Sequence, residues 1–119
     1  MSSLIPFLWF ENQAEEAARY YAGIFPDAKL GEIQRFPAGS RGPEGSVMTA
    51  SFTLGNQQLV ALNGNPRFAF SPAMSLLYGC ASADEAAALT EKLSAGGEKQ
   101  PSGWLRDKYG VSWQVHAMG

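Results

Sequence analysis

The chain has 119 residues, 45% hydrophobic and 17% charged, with a formal net charge of −2. That length supports a core without metal or disulfide staples, the composition is globular rather than disordered, and nine scattered Lys and Arg make no basic field for nucleic acid. Cys80 has no second cysteine to pair with, and no apolar run reaches the ~20 residues of a membrane span or follows a basic leader, so a soluble, cytoplasmic protein without nucleic-acid or membrane partners is the expectation.

Residues 4–10, with Phe7, Trp9 and Phe10, form a dense apolar run too short for a helix and predict a buried strand. Asn12 follows as a helix cap with Glu15 in capping-box position, and Ala14, Ala17, Ala18, Tyr21, Ile24 and Phe25 recur at helical spacing until Pro26-Asp27. Residues 29–36 predict a second strand despite weak alternation, and the Pro/Gly-rich residues 37–46 a loop or long hairpin connection. Val47–Leu54 alternates, with Met48, Ala50, Phe52 and Leu54 on one face and Thr49, Ser51 and Thr53 on the other. It turns through Gly55-Asn56 into Gln57–Asn63.

Asn63-Gly64-Asn65-Pro66 breaks the pattern and marks a boundary between a first module, residues 1–66, and a second, residues 67–119. After a linker holding Phe68 and Phe70, residues 73–80 predict a strand. Ser82 caps a helix with Glu85 in capping-box position, Ala86, Leu89 and Leu93 supply its apolar stripe, and Gly96-Gly97 stops it. The last stretch, residues 103–115, turns at Asp107-Lys108-Tyr109-Gly110 and reads as a hairpin. In its second arm Val111, Trp113 and Val115 share one face, and Ser112, Gln114 and His116 the other. The order strand, helix, strands therefore occurs twice, as in a duplication.

Several chemistries lack their signatures. No glycine fingerprint opens a helix and no phosphate loop is present, which argues against a nucleotide site; a methyltransferase using S-adenosylmethionine needs a larger sheet with a Gly-rich first loop. A Cys80–His116 pair requires tertiary contact, and a plain buried cysteine is the alternative. His116 is either a general base beside Gln114 or a solvated histidine near the chain end. Trp9, Trp104 and Trp113 either stack on a planar ligand or fill the core. Asp107 is either a base or, the preferred reading, a turn cap, and Glu15, Glu16 and Glu85 are assigned to helix starts.

Ile5-Pro6-Phe7-Leu8-Trp9-Phe10, Ala14-Glu15-Glu16-Ala17-Ala18, Tyr20-Tyr21 through Phe25-Pro26-Asp27, Val60-Ala61-Leu62-Asn63-Gly64 and the stretch from Gly103-Trp104-Leu105 to Trp113-Gln114 resemble the PhnB-like branch of the vicinal-oxygen-chelate superfamily. Its members are often labelled 3-demethylubiquinone-9 3-methyltransferase domains, and its wider relatives include glyoxalase I, extradiol dioxygenases, and bleomycin and fosfomycin resistance proteins. The resemblance implies an α+β fold of two βαβββ modules, curved mixed sheets around a cleft, and a homodimer. In metal-dependent relatives, His, Gln or Glu from the first and last strands of each module chelate one divalent ion. The matching positions here are Pro6, approximately Asn63, Ser75 and Gln114, of which only Gln114 is a residue type those relatives use, so no metal and no cofactor are expected. The expected cleft is lined by Leu8, Phe10, Asn63, Ser75, Trp104, Gln114 and His116. The function that follows is metal-independent binding of a small aromatic or amphipathic molecule. The alternative is a metal-dependent lyase, isomerase or dioxygenase with a shifted ligand set of Gln114, His116 and Glu32. No catalytic residue follows from the resemblance, and the methyltransferase label gains no support from it.

Overall fold

The computed structural model describes residues 3–40, 42–64 and 69–118. The chain divides into two units, Met1–Arg67 and Phe68–Gly119. The first carries β1 (Phe7–Phe10), α1 (Ala14–Ile24), β2 (Ala28–Arg35), β3 (Val47–Leu54) and β4 (Gln57–Asn63). The second carries β5 (Leu76–Cys80), α2 (Ala83–Ser94), β6 (Glu98–Lys99), a 3-10 turn at Pro101–Gly103, β7 (Trp104–Arg106) and β8 (Ser112–Ala117). Each unit is thus one βαβββ module with a mixed four-stranded sheet, ordered β1-β4-β3-β2 in the first and β5-β8-β7-β6 in the second. In both sheets the opening strand runs parallel to the closing one, and the other pairs are antiparallel. The α+β class and the module order expected from the sequence are borne out. Of the segment expected to separate the halves, Asn65 and Pro66 lie outside the described residues, as do Phe68 of the linker and Arg41 of the Pro/Gly-rich loop. Among the described residues no helix is long and apolar enough to cross a membrane.

The core of the first unit lies between α1 and its sheet. The helix buries Ala14, Ala17, Ala18 and Tyr21, the predicted stripe, and the Tyr21 ring meets Phe52 of β3 with centroids 5.5 Å apart. Strand pairing places Ala50 opposite Ala61 and Phe52 opposite Leu59, so these four buried side chains form the surface on which the helix rests. The weak alternation of β2 has a structural counterpart. Its register against β3 shifts between Leu30 and Ile33, and the Ser51 hydroxyl accepts from the Glu32 N–H at 2.8 Å across the irregularity. The Pro/Gly-rich loop continues the hairpin, with the Phe36 N–H donating to the Ser46 carbonyl at 2.9 Å.

The helix start differs from expectation. Asn12 does not cap α1: the helix begins at Ala14 after Gln13, which makes no side-chain capping bond. The cap comes from the end of the adjacent strand β4, where Asn63 Oδ1 accepts from the Ala14 N–H at 2.8 Å while Asn63 Nδ2 donates to the Val47 carbonyl at 3.1 Å. A buried-end donor is satisfied by whichever acceptor lies within reach, and the parallel pairing of Phe10 with Asn63 puts that amide at the mouth of the helix.

The second unit follows its sequence signals more closely. The Ser82 hydroxyl accepts from the Glu85 N–H at 3.1 Å, Leu89 and Leu93 are buried, and the helix ends before Gly96. At Gly97 any Cβ would run into the Arg106 carbonyl, so only glycine allows α2 to hand over to β6 so close to β7. The strand expected over residues 73–80 starts only at Leu76, because Ser71 closes a turn by accepting from the Ala73 N–H at 3.2 Å. The two-residue β6 had no apolar pattern to announce it.

Candidate functional site

The site is built on the hairpin of β7 and β8. Its turn is held by Asp107, 1% exposed. Oδ1 accepts from the N–H groups of Tyr109 and Val111 at 2.9 and 3.0 Å, and Oδ2 accepts from the indole N–H of Trp113 at 2.9 Å. A buried carboxylate is tolerated when donors surround it, and these three tie the turn to the core strand. The result holds the alternation of β8 in place: Val111, Trp113 and Val115 are buried, and Leu105 lies opposite Trp113 on the same side.

The opposite side of this sheet collects the polar residues. Gln114 is flanked in register by Trp104 of β7 and Leu77 of β5, and His116 by Gly79. Gln114 Nε2 donates to Ser75 Oγ at 3.0 Å, and Gln114 Oε1 lies 3.4 Å from His116 Nε2. The His116 ring rests on Gly103: a Cβ there would come within 2.7 Å of Cε1 and 3.0 Å of Nδ1. Ser75, Trp104, Gln114 and His116 are each half-buried, and Leu77 is 52% exposed. The face therefore presents a hydroxyl–amide–imidazole row between an indole and an aliphatic side chain. Leu77 was not foreseen as part of it, although the period-two spacing of Ser75, Leu77 and Gly79 carries that information.

Three other expected residues, Leu8, Phe10 and Asn63, lie in the first unit on the side of the sheet that the helix covers. Leu8 pairs with Ala61 and Phe10 with Asn63, whose amide caps α1, and both apolar side chains are buried. The side of β1 away from the helix carries Phe7 and Trp9, 59% and 43% exposed. Each first strand ends on a residue paired with the closing strand, Phe10 with Asn63 and Cys80 with Ala117. Counting back from these pairs sets Val60 and Leu62 of the first unit where the second has Gln114 and His116. The same comparison matches the core residues Leu59 and Ala61 with Trp113 and Val115, so the register is right. The polar row thus belongs to the second module alone.

Among the described residues no group of three or more His, Cys, Asp or Glu is placed to hold a metal ion. The row's donors face one another, and they comprise a hydroxyl, an amide and one imidazole with no carboxylate. One imidazole and one amide, with the amide oxygen already turned to the imidazole, do not make up the three or four converging ligands that Zn²⁺, Fe²⁺ or Mn²⁺ take. Glu32, the third member of the alternative ligand set, belongs to the irregular stretch of β2 in the first unit. Cys80 is buried on the helix-covered side of β5, away from the face that carries His116.

The family model described as 3-demethylubiquinone-9 3-methyltransferase matches residues 2–116. A solved structure described as a putative 3-demethylubiquinone-9 3-methyltransferase, PhnB protein, from Bacillus cereus is 36% identical to this chain, with a TM-score of 0.83 over 98% of this chain and all (100%) of that one. A protein from Pseudomonas aeruginosa is 23% identical with a TM-score of 0.82, covering 100% of both chains. The fosfomycin resistance protein FosX from Listeria monocytogenes is 16% identical with a TM-score of 0.70, over 100% of this chain and 93% of that one. These last two are alike in fold alone. No curated protein matches the chain. The near-complete match to the family model, together with the Bacillus cereus likeness, establishes that the chain belongs to the PhnB-type, 3-demethylubiquinone-9 3-methyltransferase-like family, built on the vicinal-oxygen-chelate fold.

Proposed function

We propose that the protein binds a small, partly aromatic or amphipathic molecule on the polar face of its second module, without a metal ion. The observation that carries this reading is the hydrogen-bonded row Ser75–Gln114–His116 set between Trp104 and Leu77. A small-molecule site is largely apolar, with a few polar groups placed to orient its occupant, and this face has that composition. Indole and leucine supply area, and the row supplies hydrogen bonds. Antibiotic sequestration, as in bleomycin-resistance-type relatives, is the kind of activity such a face serves.

Methyl transfer, the activity in the family's description, finds less support. It needs a donor, and the two strand-to-helix loops, Glu11-Asn12-Gln13 and Ala81-Ser82, contain no glycine through which backbone could approach a bound nucleoside. We also propose a homodimer, because Leu4, Phe7 and Trp9 of the first unit and Met74 and Met118 of the second are large apolar side chains left exposed.

The test is a thermal-shift screen of the purified protein against small aromatic carbonyl compounds, amphipathic antibiotics and simple phenols. A true ligand at a hundred times its Kd stabilises the fold by about 2.7 kcal/mol. That gain is expected to disappear in Gln114→Leu and Trp104→Ala. A stoichiometric bound metal whose removal by a chelator abolishes ligand binding would overturn the metal-independent reading in favour of the shifted-ligand enzyme.

A further inference from the structure

We infer that the Ser75–Gln114–His116 row is directional and selects a ligand bearing a hydrogen-bond acceptor oxygen, an aromatic carbonyl or carboxylate, over one bearing a donor. The inference rests on the reading that this face binds a small molecule, and it adds what kind of group is recognised.

A primary amide has one accepting and one donating end, so its orientation sets the polarity of any row it joins. Gln114 turns its Nε2 to Ser75 and its Oε1 to His116. Gly103 fixes the other partner. It backs the Nδ1–Cε1 edge of the imidazole so closely that no side chain fits between, and Nε2 is the nitrogen facing Gln114. With Oε1 opposite, Nε2 carries the hydrogen. This arrangement serves the neutral ring and the imidazolium alike. The reversed amide would set an N–H against Nε2 and fail whenever the ring is charged.

The consequence lies at the other end. Ser75 Oγ spends a lone pair on Gln114 and keeps its own hydrogen to give, since its side chain has no further partner among the described residues. The second N–H of the Gln114 amide and the indole N–H of Trp104 are likewise without partners there. Of the row's acceptors, Gln114 Oε1 is engaged with His116 and His116 Nδ1 lies against Gly103, which leaves the second lone pair of Ser75 Oγ as the one still open. A ligand at the row therefore meets more donors than acceptors, the Ser75 hydroxyl hydrogen and the second Gln114 N–H against one lone pair of Ser75 Oγ, beside the Trp104 that pairs with Gln114. An acceptor oxygen on an aromatic ring matches both donors, whereas an amine finds a single lone pair and sets its remaining N–H against a donor.

The experiment compares acetophenone, aniline and toluene, three aromatic probes of similar size, by NMR titration of ¹⁵N-labelled full-length protein. Acetophenone is expected to bind roughly tenfold more tightly than either of the others, with shifts at the Gln114 side-chain amide and the Trp104 indole. Ser75→Ala, which leaves the Gln114 N–H groups as donors, is expected to weaken acetophenone severalfold and leave toluene unchanged. Equal binding of all three at this face would overturn the acceptor preference and leave the binding site standing. Absence of binding by any of them would overturn both. A readout independent of ligand is the His116 ring itself: ¹⁵N shifts are expected to place the hydrogen of the neutral ring on Nε2, and a hydrogen on Nδ1 would overturn the directionality. Folding of Ser75→Ala is checked from the amide spectrum, and Ser75→Thr, which keeps the hydroxyl, is expected to restore the preference.

Discussion

Two asparagines near one helix separate local from tertiary signals at the level of single residues. Asn12 has the right identity and spacing for a cap and makes none, while Asn63 bridges the start of α1 to the end of the neighbouring hairpin with one accepted and one donated bond. Replacing Asn63 with Ala leaves the Ala14 N–H and the Val47 carbonyl without that partner and is expected to cost about 1–2 kcal/mol. Asn12→Ala is expected to stay within about 0.5 kcal/mol of wild type. Urea denaturation of both variants decides the matter, and an equal loss in the two would contradict the assignment. No spacing rule could have revealed Asn63 as the cap, because its partner lies 49 positions away and becomes adjacent only through parallel strand pairing.

Among elements, the hairpin of β7 and β8 was the most legible part of the chain. Its turn residues and its alternation both come from neighbours in sequence, and the two sides follow the reading except at Ser112, placed on the polar side yet buried. Less visible was how the turn is fastened. Asp107 is a hub with three donors, one of them from the indole of Trp113 in the strand it precedes. Asp107→Ala would strand two backbone N–H groups and the indole N–H in a buried place, so a loss on the order of 3 kcal/mol or more is expected in chemical denaturation. Asp107→Asn keeps the shape and is expected to lose less, since its oxygen can still accept from the turn. If both were neutral, the hub would be no more than a surface turn. Elements without a period of their own were the ones misjudged: the start of β5, set back by the Ser71 turn, and the two-residue β6.

Across the molecule, the duplication is clear in element order and nearly invisible in residues. Both modules bury equivalent positions of their closing strands, Leu59 and Ala61 in one and Trp113 and Val115 in the other. The other side of the closing strand diverges, with Val60 and Leu62 in the first where the second has Gln114 and His116. That division motivates the proposal that recognition chemistry resides in the second module. The exposed apolar residues motivate the proposed homodimer. Light scattering at micromolar concentration is expected to give twice the 12.8 kDa chain mass, with Phe7→Glu and Trp9→Glu together shifting the mass toward that of the single chain. A monomeric wild type would remove the dimer from the proposal.

By itself the sequence determined the order of the elements that carry a period or a cap, the two hairpin turns, one of two helix caps and the two-sidedness of β3 and of most of β8, because each depends on residues within a few positions of one another. Only the tertiary structure decided that Leu8, Phe10 and Asn63 face the helix and not the open side. It also decided that Gln114 meets Ser75 and His116 in one row. A strand's two faces look alike until something covers one of them, and which face α1 covers depends on contacts between residues far apart in the chain.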